Sequence, residues 1–128
     1  MQLTVTTIIF GLPTGQRLSY VQLTLPAARL AMRELIAYKV RQEVEEYLTH
    51  QRSGLSGEYL SPEELLGAGS SATPGAVGHE IVRAQQGFAA RAYMIVVNNR
   101  RVWDLEDTFT LDPTTQVEFI KILPLVGG

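Results

Sequence analysis

The chain opens with a two-residue alternation. In residues 2–10, Leu3, Val5, Thr7 and Ile9 share one face, while Ile8 and Phe10 make the other face partly apolar. The segment is rich in β-branched residues and predicts a strand. Gly11, Pro13 and Gly15 then supply turn chemistry. Residues 17–25 predict a second strand with Val21, Leu23 and Leu25 on a common face. A hairpin is the economical arrangement of these two strands. From Pro26 the period changes. Met32, Leu35, Ile36, Val40, Val44, Tyr47 and Leu48 recur at three- and four-residue spacing. Arg33, Arg41, Glu45 and Glu46 fall mostly on the opposite side. With proline suited to a first helical turn, this predicts a helix of about six turns opened by Pro26 and ending near His50. Its apolar stripe is expected to lie across the sheet as core.

Residues 51–78 are punctuated by glycine and serine. Ser61-Pro62-Glu63-Glu64 reads as a short helix start that carries Leu65 and Leu66 inward and stops at Gly67. Residues 67–78 read as a loop. Residues 79–91 fit either a short helix or an irregular connection, Gly87 weakening the helix. Strand character returns at 92–97, and Asn98-Asn99 marks a turn because asparagine tolerates left-handed backbone angles. Residues 100–103 give a short partner strand, and 104–115 a connection anchored by Phe109 and Leu111. The last strand, 116–123, has Val117 and Phe119 on one face and Ile120 and Ile122 on the other, which suits a central position. These elements predict one α+β domain over 1–128. It would have a long helix packed on a mixed sheet, an insert at about 51–91 and a tail at 124–128.

Composition narrows the function classes. Of 128 residues 45% are hydrophobic and 19% charged, an ordinary globular balance. A net charge of -2 offers no electrostatic footprint for nucleic acid or an acidic membrane. No apolar run approaches the roughly 20 residues of a membrane-spanning helix. No basic residue precedes the apolar start, so no secretory leader is expected and the cytoplasm is the expected compartment. The chain has no cysteine, which removes disulfides, thiolate metal sites and cysteine nucleophiles. His50 and His79, the two histidines, have no carboxylates at metal-ligand spacing around them. Glu43, Glu45 and Glu46 read as a solvated helix face, and residues 67–71 lack the lysine of a phosphate-binding loop. Tyr93 and Trp103 read as core or rim residues. No catalytic residue is assigned and the protein is not expected to be an enzyme. Only Lys39 and Lys121 are lysines, Lys121 with doubtful exposure inside the last strand.

Residues 94–128 carry a family likeness. Val97-Asn98-Asn99, then Val102, Leu111, Val117-Glu118-Phe119-Ile120 and Ile122-Leu123-Pro124-Leu125-Val126-Gly127-Gly128 resemble the C-terminal half of the ubiquitin-like β-grasp proteins. The likeness is to the sulfur carriers (the molybdopterin synthase small subunit, the thiamine sulfur carrier) and at least as much to bacterial ubiquitin-like modifiers. The opening hairpin and helix agree in order. Two features depart from the pattern: Thr114-Thr115-Gln116 replaces the usual Gly-Asp, and the insert is longer than in those carriers.

The resemblance implies a β-grasp fold and a working Gly128 carboxylate. An E1-like enzyme holding ATP and magnesium would adenylate it. The acyl group would then pass on as thioester, thiocarboxylate or isopeptide to a target protein or sulfur acceptor. Expected partners are therefore that enzyme, an E2-like enzyme and a JAB-type protease, with no cofactor on this chain, no nucleic acid and no membrane. Glycine at 127 and 128 has a physical reason, since a chain without Cβ atoms passes a narrow channel. Pro124, Leu125 and Val126 would supply stiffness and apolar recognition. Ile8, Phe10, Ile120 and Ile122 must be covered by the insert or form a partner patch. The alternative reading is a β-grasp adaptor or assembly subunit that works by protein binding alone.

Overall fold

A computed structural model of the chain describes residues 1–12, 15–52 and 77–122. The alternating N-terminal segment forms an antiparallel pair, β1 (Gln2–Leu12) and β2 (Gly15–Thr24). Gly11 and Gly15 take φ of 92° and 101°, the region glycine enters without steric penalty, where the register shifts toward the hairpin end. At the other end the Met1 carbonyl accepts from the Leu25 amide at 2.7 Å.

The helix does not begin at Pro26. Residues 26–28 stay irregular, and β3 (Arg29–Ala31) pairs antiparallel with β6 (Thr108–Thr110), neither of which the local pattern predicts. Helix α1 runs from Met32 to Arg52. The reason is long-range. The Met32 and Arg33 amides donate to the Asp107 and Leu105 carbonyls at 2.8 and 2.9 Å, so a loop from the other end of the chain satisfies the helix's free donors. Glu34 reaches back to accept from the Ala31 amide at 3.1 Å, the carboxylate half of a capping box. Met32, Leu35, Ile36, Val40 and Val44 are buried as their spacing predicts, while Tyr47 and Leu48 are half-buried.

Within the expected insert, residues 77–89 form a second helix, α2 (Val77–Ala89), packed on α1 through Ala84 and Phe88. The helical layer thus has two members, and of the two readings open for residues 79–91 the chain adopts the helix, begun two residues earlier. At Gly87 a Cβ would stand 3.4 Å from the Tyr93 ring, an ordinary van der Waals contact, so packing there does not require glycine. The helix ends in a Schellman arrangement: the Ala92 amide donates to the Gly87 carbonyl and the Arg91 amide to that of Phe88. Arg91 takes the left-handed position, φ 66°, usually given to glycine. The expected helix start at Ser61-Pro62-Glu63-Glu64 and the loop as far as residue 76 lie outside the described residues.

The remaining strands are β4 (Met94–Val97), β5 (Arg100–Val102) and β7 (Val117–Ile122). Asn98 and Asn99 take φ of 48° and 66°, the left-handed pair of a tight two-residue turn between β4 and β5. The five-stranded sheet has the order β2-β1-β7-β4-β5. β7 sits at its centre, parallel to β1 and antiparallel to β4, as its two apolar faces require. The Asn98 side chain accepts from the Gln116 amide and its own amide donates to the Gln116 carbonyl, which ties the tight turn to the start of β7. The fold is α+β. Leu3, Val5, Val21, Leu23, Ile95, Val97, Val102, Val117 and Phe119 point toward the helices and form one core cluster with α1 and α2.

Candidate functional site

The described helices lie on one face, and the other face of the sheet holds the predicted patch residues. The registers bring them together. Ile8 lies opposite Ile120 and Phe10 opposite Ile122 in the parallel β1–β7 ladder. Leu18 flanks Ile8 on β2, and Met94 flanks Ile120 on β4. Leu18, Ile8, Ile120 and Met94 therefore form a continuous apolar row across four strands. Phe10 and Ile122 form the next row, at 39% and 63% exposure, and Leu18 is 44% exposed. Among the described residues nothing packs over this row.

On the far side the row gives way to Tyr20, Thr6, Glu118, Val96 and Arg101, which the registers also align. Thr4, Thr6, Tyr20 and Glu118 border a shallow groove there with Pro113 and Thr114. The face thus runs from apolar at the end where β7 finishes to polar at the end where β7 begins. Alternation along the strands points to Ile8, Phe10, Ile120 and Ile122 but not to Leu18, Met94 and Val96. Their inclusion depends on register, and register becomes visible only once β7 is known to lie between β1 and β4. The tail residues Pro124, Leu125, Val126, Gly127 and Gly128 lie outside the described residues.

The turn before β7 is held by side-chain hydrogen bonds. The Asp112 carboxylate accepts from the Thr114 amide at 2.7 Å and from the Thr114 hydroxyl, and the Thr115 hydroxyl accepts from the Asp112 amide at 2.9 Å. These donors hold the Asp112 carboxyl below its ordinary pKa. Thr114 and Thr115 thereby close this turn through their own side chains.

The helix-facing side holds a polar pair that the sequence reading places wrongly. Glu43 is not on a solvated face. Its carboxylate accepts from Lys39 Nζ at 2.7 Å, with side-chain exposures of 10% and 4%. Lys39 also sits 4.4 Å from the centroid of the Phe119 ring. Burial raises the Glu43 pKa, and the Lys39 charge offsets that only in part. Beside the pair is a cavity of about 20 Å³, room for one water, lined by Thr7, Val40, Ala84, Tyr93, Ile120 and Lys121 among others. The Tyr93 hydroxyl donates to the Ala84 carbonyl at 2.6 Å, and its ring stacks on Phe119 at 5.8 Å. Burial, and then the Glu43 carboxylate, keep that phenol protonated well above its ordinary range. Such a cavity stores no substrate; its groups are packing and charge neutralisation.

At the sheet's edge Trp103 is half-exposed between two guanidinium groups, Arg101 at 3.9 Å and Arg91 at 4.8 Å from the ring centroid. This matches the rim role expected for it. His79 is exposed. Among the described residues no group of three His, Cys, Asp or Glu side chains could hold a metal, and no helix is long and apolar enough to cross a membrane. No family model, curated protein or solved structure matches the chain.

Proposed function

We propose that this protein is a ubiquitin-like modifier or sulfur carrier of β-grasp fold. Its Gly128 carboxylate, native or freed by processing, is adenylated by an E1-like enzyme using ATP and magnesium. The acyl group then leaves as thioester, thiocarboxylate or isopeptide. The observation that carries this reading is the strand order β2-β1-β7-β4-β5 with β1 and β7 parallel at the centre and the helices on one face. Two antiparallel hairpins flanking a central last strand that runs parallel to the first are the arrangement of a β-grasp sheet. In it the last strand delivers the chain directly into residues 123–128.

The apolar face, which no described residue covers, supports the same reading. It lies at the end of the sheet from which that tail departs, so an enzyme that grips the tail meets the Ile8, Phe10, Ile120 and Ile122 rows as well. Burying a few such side chains supplies on the order of 1.5–3 kcal/mol each before the costs of association. The glycines supply passage and the face supplies affinity.

The decisive experiment is activation. Full-length protein with a cognate E1-like enzyme and ATP should release pyrophosphate and form the acyl-adenylate, and removal of Gly127 and Gly128 should abolish both. Turnover that survives the deletion overturns the reading. Partner binding that survives while no activation is ever seen favours the adaptor alternative, to which the open face is equally suited.

A further inference from the structure

We propose that Lys121 is the single ε-amine through which the folded chain accepts an acyl group, Lys39 being closed to acylation by its place in the core. The two lysines of the sequence line the same small cavity from opposite layers, Lys39 from α1 and Lys121 from β7. What surrounds each amine differs.

An amine attacks an acyl carbon only as the free base, with its lone pair aimed at that carbon and room for the leaving group. Lys39 meets none of these conditions. It is 3% exposed, its ammonium donates to Glu43, and the Phe119 ring covers it. An acyl donor reaches it only if α1 lifts from the sheet. Lys121 is half-buried. The β4 ladder ends at Ile120, so beyond that residue β7 has a paired strand on the β1 side only, where Lys121 lies opposite Ile9. The next residue, Ile122, is among the most exposed apolar residues described. Among the described residues no carboxylate pairs with Lys121. Partial burial also lowers its pKa, which enlarges the free-base fraction at neutral pH.

In the reaction the neutral Lys121 nitrogen gives its lone pair to the acyl carbon and an amide bond forms. The bond from that carbon to the leaving group (a thiolate, a phosphate oxygen or a succinimidyl oxygen) breaks, and the leaving group departs with the electron pair. The nitrogen releases one proton to solvent. Resting on the proposed function, the consequence is that a chain built of copies of this protein on lysine amines is joined through Lys121 alone.

The test is acetylation of the full-length protein with limiting N-hydroxysuccinimidyl acetate, followed by peptide mapping by mass spectrometry, in native buffer and in guanidinium chloride. Lys121 should be acetylated about 100-fold faster than Lys39 in the folded chain, because Lys39 reacts only through local opening. The two rates should converge on unfolding. K121R should remove lysine acetylation from the folded chain, and K39R, which keeps the charge, should leave the Lys121 rate unchanged. Equal rates for the two lysines in the folded chain, or undiminished lysine acetylation in K121R, overturn the inference. The measurement uses no enzyme. A failed activation assay with the labelling pattern intact therefore removes the proposed function and leaves Lys121 as acceptor, and the reverse result removes only the latter.

Discussion

The buried Lys39–Glu43 pair shows how much one residue's surroundings decide. Both groups lie on the core face of α1, four residues apart, and neither is free to hydrate. Removing one partner strands the other, so K39M should destabilise the fold by about 3–5 kcal/mol, whereas K39M/E43L should come close to wild type. Chemical denaturation of the three proteins checks this. The pair also has a pH signature. The Glu43 pKa is raised in the folded state, so the folded chain binds that proton more tightly than the unfolded one. Its contribution to stability is therefore full below the ordinary value of 4.5 and is lost as pH rises through the higher folded value. E43Q should flatten that part of the stability–pH curve, measured as unfolding midpoints between acid and neutral pH. Asp112 acts in the opposite sense, because its folded pKa is lowered: its contribution is lost as pH falls. Arg91 offers a separate test. Its left-handed backbone angle costs about 1–2 kcal/mol for a residue with a Cβ. R91A keeps that cost and loses the Trp103 contact, while R91G removes it. R91G should therefore unfold later than R91A by about 1 kcal/mol.

At the scale of elements, the sequence spoke clearly where pattern and environment agree. The hairpin, the Asn98-Asn99 turn and the two-faced β7 were legible because period, turn chemistry and burial all point the same way. The start of α1 was not. Pro26 is a sound helix opener, yet the first helical residue is Met32, because amides from Met32 and Arg33 find carbonyls in residues 104–107 and Leu30 pairs with Phe109. No local window contains that information. Glu43 was misplaced for a related reason: it sits among Glu45 and Glu46, and only the pairing with Lys39 and the packing of α2 take it out of water. For α2 the local pattern leaves helix and irregular connection both open, because Gly87 weakens the helix; burial of Ala84 and Phe88 in the core decides for the helix. Because Phe88 is 2% exposed and tilts against Tyr93, F88A should cost about 3–5 kcal/mol and loosen α2 first, visible as early hydrogen exchange in residues 77–89.

For the whole molecule, the open face and the core can be separated by mutation. The double change Ile8→Ser with Ile122→Ser touches only the side of the sheet that no described residue covers. It should shift the unfolding midpoint modestly and weaken docking to the proposed activating enzyme by about tenfold or more, a loss read by titration of that enzyme. Tail deletion should leave the midpoint unchanged. The four patch positions were legible individually from alternation; that they form one surface followed only from the strand order.

That strand order also governs when the molecule can become itself. The middle of the sheet stays vacant until β7 slots between β1 and β4, joining Val5 to Val117 across nearly the whole described chain. A nascent polypeptide can make the hairpin and coil its helix early, but the parallel zipper waits for the final strand to clear the ribosome. Products cut short before that point carry an unfilled gap flanked by sticky edges and are prey to proteases or aggregation. Closure of the sheet thus depends on its last strand, and the same stretch of backbone that finishes the body leads on to the residues proposed to react.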